Sequence, residues 1–535
     1  MPGPRRMPAV AAAALLIATA GCGAAETVAT DEDGPSAGPG ETSTSADPSG
    51  TTRRSNATPA PSPDPPSTTG GQTATTPNSD PTGTGAPPLT DKPVVPSPAD
   101  LKTARSRPVE DPYYPETSNP EVDALHYDLA LAWDGFRLTG RATVTFRAAR
   151  PTSSVRLDLS RSLKVSAVEL DDEPVDYSQA GDGLEMATGR LNSASTHTLT
   201  VDYAGSPAST PAPSRRPDMA EGLGWSVDSD GSVHTFQEPY GAFTWYPVND
   251  HPSDKALYDA AISTPGDDVA VFNGQLVSTE QTGQGTVSRW HVDEPVASYL
   301  TTIAIGPYTE HVSTTPSGMR ISYWLLRRDE PLLRDLQDAG SAAFEWLVRR
   351  AGPYPFSTLG VVVVGGSSAM ETQTMVTMSR GVADERATLL HEMAHQWYGD
   401  TVTPLDWQGV WLSEGWAMYM QQWYEVDKGL RLFAGGIDSW RRYDQAARAK
   451  SGPPGDYDPE SFADLNVYLG PALMLDQIRQ RVGSAAFNRL VKAWPAEHEN
   501  QNVDRQTFTR WLNHQTGENF RPLLRKWLDS AKTPR

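Results

Sequence analysis

The 535-residue sequence predicts an α+β protein in which an antiparallel β domain precedes a mixed domain that carries a metal site. Three observations predict it. From about Pro108 to Pro307 short runs alternate apolar and polar residues, the period-two pattern of half-buried strands. From about residue 311 apolar strand runs mix with helical spacings. Within that second part residues 391–400 read HEMAHQWYGD, WLSEGWAMY follows, and eighteen residues separate His395 from Glu414.

The chain opens on Arg5 and Arg6, followed by an apolar run from Ala9 to Ala20. Residues 1–22 read as an export signal, because a spanning helix wants about 20 apolar residues and this run is shorter and rich in alanine. Thr19-Ala20-Gly21-Cys22 resembles a bacterial lipobox, in which the cysteine is lipidated and becomes the mature N-terminus. Ordinary cleavage after Ala20, leaving a free thiol, is the alternative. Cys22 is the single cysteine, so there is no disulfide framework. Residues 23–108 are mostly Thr, Ser, Pro, Gly and Asp, cannot offset the entropy of ordering, and are expected to be a disordered tether. Together these segments imply a protein on the extracellular face of a bacterial cell membrane, held by a lipid anchor, or otherwise secreted.

Residues 109–310 form the expected β-sheet domain, with strands in TVTFRA, SVRLDLS, KVSAVELD, HTLTVDY, AVFNGQLV and YLTTIAIG. Turn signals at Asp171-Asp172 and Gly181-Asp182-Gly183 punctuate them. In residues 311–535, Leu359–Val364 reads as a buried strand, and SAAFNRLVKAW and QTFTRWLN as helices, the second stopping at Gly517. Trp397, Trp407, Trp411, Trp416 and Trp423 crowd the metal region and are expected to pack. The net charge of −21 argues against a nucleic-acid partner, which needs concentrated Lys and Arg.

On a helix His391 and His395 stand at i and i+4, so both imidazoles leave one face and meet a single ion at roughly 2.1 Å. Glu392 points toward the same cleft. Acidic Asp384 and Glu385 are expected in the first turn of this helix, and Leu389, Leu390, Met393 and Ala394 can face a core. With Glu414 as the third ligand and one position open, the set describes one catalytic Zn2+ per chain. A structural zinc is normally closed by cysteines.

H-E-x-x-H, eighteen residues, then E within W-L-S-E-G-W-A resembles the aminopeptidase N family of gluzincin metallopeptidases. Trp397, Gly399 and Val402-Thr403 extend the match, while Asp400 stands where many relatives carry asparagine. The resemblance covers roughly residues 118–535. It implies an N-terminal β saddle domain followed by a thermolysin-like zinc catalytic domain, in a short form without the large C-terminal helical domain and so with a more open cleft. Ser368-Ala369-Met370-Glu371-Thr372 resembles the family's G-x-M-E-N, with Ser and Thr replacing Gly and Asn. There Met370 and Glu371 line the grip on a peptide's α-ammonium, a group of pKa near 7.7–8.0 that is largely charged at neutral pH. Tyr468, in VYLGPALML, takes the place of the family's transition-state donor, with Pro471 expected in the first helical turn. In FQEPYGAFTWYPVND the family carries a glutamine at the substrate's amino end, which points to Gln237, or to Glu238 because the register is off by one.

The resemblance implies a zinc aminopeptidase acting outside the cell on peptides with a free N-terminus, with Glu392 as general base. Two alternatives remain open. A thermolysin-like endopeptidase shares every zinc residue but does not use Glu371, and a lipid-anchored peptide-binding protein would carry the fold without activity.

Overall fold

The computed structural model describes residues 94–430 and 435–535, which fall within one compact unit. The leader, Cys22 and the tether up to residue 93 lie outside the described residues.

The last part of the expected tether is not loose chain. Residues 94–107 fold onto the β domain through a helix, Pro98–Thr103, whose Ser97 side chain caps Asp100 while Asp100 caps back. Leu101 and Ala104, three positions apart and so on one helix face, pack against Leu125 and Leu257. Beyond the helix the Ser106 amide donates to Asp123 Oδ1 at 2.9 Å.

The β domain is built on an eight-stranded sheet whose centre is the strand Val122–Trp133. Eleven of its twelve residues are buried, which marks a strand covered on both faces rather than the half-exposed kind the alternating pattern suggests. Its neighbours are Leu138–Ala148, antiparallel, and Lys255–Thr264, parallel. The domain is therefore not wholly antiparallel as expected. Lys255–Thr264 reaches its place after a long excursion through a second sheet, and a hairpin would have reversed its direction. That second, four-stranded sheet runs Val269–Phe272, Ile303–Gly306, Val233–Phe236, Gly224–Val227. The run AVFNGQLV is split between the two sheets at Asn273-Gly274. Buried Asn273 ties the corner by donating to the carbonyls of Leu300 and Gln373 at 2.8 and 2.6 Å.

The second part begins three residues before the expected boundary, because Tyr308–Thr314 pairs with Arg320–Leu326 in a five-stranded sheet. Leu359–Val364 lies at the middle of that sheet, buried at all six residues. Its edge strand is Ala369–Met370, so Glu371 leaves the sheet at an open edge. Helices Leu333–Ala351, Arg386–His395, Trp411–Lys428, Ile437–Ser451 and Leu465–Val482 follow. Three more, Ser484–Glu497, Arg505–Thr516 and Arg521–Leu528, complete the part. The β-rich domain followed by a mainly helical domain is the expected α+β arrangement. The tryptophans pack, Trp416 stacking on Tyr398 at 5.0 Å between ring centres. Among the described residues no helix is long and apolar enough to cross a membrane.

Candidate active site

The helix Arg386–His395 presents both imidazoles to one cleft, their ring centres 4.8 Å apart. Its acidic lead-in sits outside the first turn, with Glu385 at the cap position and no side-chain cap bond. After His395 the chain leaves helical geometry at Tyr398 and Gly399. Gly399 has φ 148°, and a Cβ there would stand 3.0 Å from His395 Nδ1, so glycine is required for the chain to double back. The result is that the Tyr398 carbonyl accepts from His395 Nδ1 at 3.1 Å. Gln421 does the same for His391, its Oε1 lying 3.1 Å from Nδ1. Both Nε2 atoms are thereby turned to the third acid, at 3.2 Å from Glu414 Oε2 for His391 and 3.4 Å for His395.

Glu414 comes from the helix Trp411–Lys428, and Tyr468 from Leu465–Val482. The two helices approach closely because Gly415 has no side chain, since a Cβ there would lie 2.4 Å from Pro471 Cβ. Pro471 is thus a contact residue in the body of its helix, which starts at Leu465 with an Asp464 cap. The expectation of a first-turn proline does not hold. Its place lets the Tyr468 ring lie 6.1 Å from that of His391.

The cleft is also lined by Glu238, Met370, Glu371, Glu392 and Arg216. Gln237 is not among its walls. It is fully buried, donating to Ser298 O, Thr301 O and Thr301 Oγ1 and accepting from Trp245 Nε1, which uses up its amide. Consecutive side chains in extended chain point oppositely, so the cleft-facing residue of this pair is Glu238. Thr372, in the place of the family's asparagine, is turned into the sheet against Met375 and Thr377. The Glu371 backbone is held instead by Gln396, whose Nε2 donates to its carbonyl at 2.9 Å. Sequence reasoning missed Gln396, Gln421 and Arg216. Gln421 stands seven residues after Glu414, two helical turns along the same face, and that spacing was the available signal.

The site is rich in buried acid. Burial pushes Glu371 up from the ordinary carboxylate range, and pushes Glu392 and Glu238 well above it. The Glu414 charge pushes all three further the same way. Glu414 goes the other way, because His395 and His391 override its burial. Burial lowers His391, whereas Glu371 and Glu414 hold His395 well above its usual value. Glu238 Oε1 and Glu371 Oε1 are buried without a hydrogen-bond partner. Two imidazoles and a carboxylate, with ligand atoms within 4.8 Å of one another and both Nδ1 atoms committed elsewhere, are a donor set that fits a divalent zinc ion.

Fold and donor set together define the gluzincin class of zinc metallopeptidase. Residues 123–300 match the peptidase M1 N-terminal domain and residues 349–527 the peptidase family M1 domain, so the chain belongs to peptidase family M1. It is similar to the M1 zinc metallopeptidase of Deinococcus radiodurans. A mutant of that protein superposes with a TM-score of 0.68 at 25% identity, over 80% of this chain and 99% of that one. The same protein bound to a Tyr-Ser-Ala substrate gives 0.69 and 26%, with the same coverage. Leucine aminopeptidase 2 of Vanderwaltozyma polyspora is 25% identical over 58% of this chain and 48% of its own length. Endoplasmic reticulum aminopeptidase 1 of Mus musculus is 25% identical over 56% of this chain and 35% of its own. The chain therefore spans about half or less of the length of these curated relatives.

Proposed function

We propose that the chain is a zinc-dependent aminopeptidase that removes the first residue from peptides outside a bacterial cell. The observation that carries this reading is the pair Glu238 and Glu371, whose unpartnered buried oxygens share the cleft with the metal-ligand set. A substrate's α-ammonium supplies the cation and hydrogen-bond donors those oxygens lack. Glu371 Oε1 lies 4.0 Å from His395 Nδ1, so an amine held there brings the first peptide bond, one residue along, to the metal ligands.

His391, His395 and Glu414 would hold the zinc. When bound, the ion acidifies its water and polarises the scissile carbonyl. Glu392, which lines the cleft beside the ligands, takes the proton of the attacking water and returns it to the leaving amine. Tyr468 donates its hydroxyl hydrogen to the carbonyl oxygen as negative charge builds there. Met370 lines the cleft beside Glu371.

Hydrolysis of aminoacyl fluorogenic amides, compared with their N-acetyl forms, tests the reading, with a zinc chelator and Glu392→Gln as controls. Free substrates should be cleaved far faster. Equal rates on blocked substrates point to an endopeptidase, and peptide binding without turnover points to an inactive binding protein. The extracellular, lipid-anchored placement rests on the pattern of residues 1–22 and the polar stretch that follows. Detergent-phase partitioning of the chain that Cys22→Ala does not abolish would overturn the anchor.

A further inference from the structure

We infer that Arg216, on the loop between the strands Thr196–Gly205 and Gly224–Val227, is a positioning residue that aims the Tyr468 hydroxyl at the reacting carbonyl. The inference rests on the role proposed above for Tyr468. Arg216 Nη1 donates to Tyr468 Oη at 3.0 Å and to the Ala463 carbonyl at 3.1 Å. Its Nε and Nη2 clasp Asp218 at 3.1 and 2.5 Å. All three nitrogens of the guanidinium are engaged, which fixes its orientation.

A phenol carries one hydrogen, and arginine has donors only. The Arg216 bond therefore occupies an acceptor lone pair on Tyr468 Oη and turns its hydrogen away from the loop. The Tyr468 ring lies 6.1 Å from that of His391, and Tyr468 lines the same cleft as His391, His395 and Glu414. With the Arg216 side occupied by a donor, the hydrogen is left to the cleft, where a carbonyl oxygen would take it. Without the guanidinium the C–O–H torsion is free, and orientation must be found anew in each turnover.

The loop that carries Arg216 is anchored for this purpose. Its base closes at the Thr210–Leu223 bridge. The Phe462 amide donates to Pro213 O at 2.9 Å, and Ser214 Oγ to Phe462 O at 2.9 Å. Asp218 also accepts from Ser368 Oγ at 3.1 Å. Ser368 is the residue that replaces glycine in the family motif around Glu371, so its hydroxyl has a use here. A continuous chain, Ser368–Asp218–Arg216–Tyr468, links the amine-binding edge of the cleft to the oxyanion donor.

A double-mutant cycle with Tyr468→Phe separates positioning from bulk structure. On an aminoacyl amide, Arg216→Met should lower kcat by about 10–100-fold, less than the 10²–10³ of losing an oxyanion donor outright, with KM moved less than about threefold. In the Y468F background the same change should cost less than about threefold, because the hydroxyl it aims is gone. Arg216→Lys should recover part of kcat, and Asp218→Asn, which loosens the clasp while keeping the arginine, should give a smaller loss that also vanishes with Y468F. Zinc content and melting temperature are measured for each, and if R216M does not fold, R216K and D218N carry the cycle. Equal losses in both backgrounds, or a loss confined to KM, overturn the inference and leave the proposed function standing. A Y468F enzyme as fast as wild type overturns the inference and the proposed tyrosine role together.

Discussion

Gln421→Leu should weaken zinc binding with little change in fold. In the structure the Gln421 carbonyl oxygen stands 3.1 Å from His391 Nδ1, and both residues are buried, at 7% and 6% exposure. Leucine leaves that Nδ1–H without an acceptor and with little access to water. An orphaned buried donor costs about 1–3 kcal/mol, which is roughly 10–100-fold in an equilibrium constant and agrees with the usual cost of removing an outer-shell partner of a metal-binding histidine. The cost falls on the bound state, because zinc at Nε2 requires the proton to sit on Nδ1. Gln421→Glu, nearly isosteric, should act in the opposite direction, since a carboxylate accepts a charge-assisted bond and adds negative charge near the ion. The assay is competition for zinc against a fluorescent chelator of known affinity at fixed pH. A Q421L dissociation constant within threefold of wild type, or a Q421E site weaker than Q421L, would refute the reasoning.

Three other outcomes are expected. Lys255 is buried at 1% exposure, donates to the carbonyls of Asp400 and Thr401, and is pushed down to about 7 by that burial. Between about pH 7 and the usual lysine value of 10.5 the unfolded chain holds a proton that the folded one lacks, so this group makes stability rise with pH across that window. Urea denaturation should therefore show wild type gaining on Lys255→Met from pH 7 to pH 9.5, and a pH-independent difference would contradict it. Gly415→Ala drives a methyl into Pro471 and should cost about 1–3 kcal/mol of stability, with kcat falling more than zinc content as the Tyr468 helix is pushed back. Leu101→Asp should free residues 94–107 from the sheet, giving faster proteolytic nicking there at unchanged kcat/KM, and an unchanged cleavage rate would mean that the Leu101 contact is dispensable.

The metal site was legible because its chemistry is local. His391 and His395 share one helix face by spacing alone, and Glu414 follows at a separation that few chance sequences reproduce. The Gln237–Glu238 choice was not legible, because a one-residue register decides which side chain meets the cleft and which is consumed by Ser298 and Thr301. Arg216 was invisible for another reason. It sits in TPAPSRRPD, which reads as an ordinary surface loop, and its partner Tyr468 is 252 positions away. The strands were mostly legible but their direction was not, since an alternating pattern is the same in parallel and antiparallel pairs, as Lys255–Thr264 demonstrates. Residues 94–107 read as tether because only two apolar side chains, Leu101 and Ala104, supply their apolar contact, and the polar bonds such as Ser106 to Asp123 leave no pattern in the sequence.

The cleft has walls of two origins. Arg216 and Glu238 come from the β-rich part, and His391, His395, Glu414 and Tyr468 from the helical part. A gene fragment that encodes only the helical part would carry every zinc ligand and still lack Glu238, the proposed partner for a substrate's amine, and Arg216, the donor to the tyrosine. Recombination between relatives at the junction near residue 307 would mismatch those walls even where both parents are active. The two parts are therefore constrained to be inherited and to change together, and a functional chimera would need the loop around Arg216 and the Glu238 segment moved along with the helices they serve.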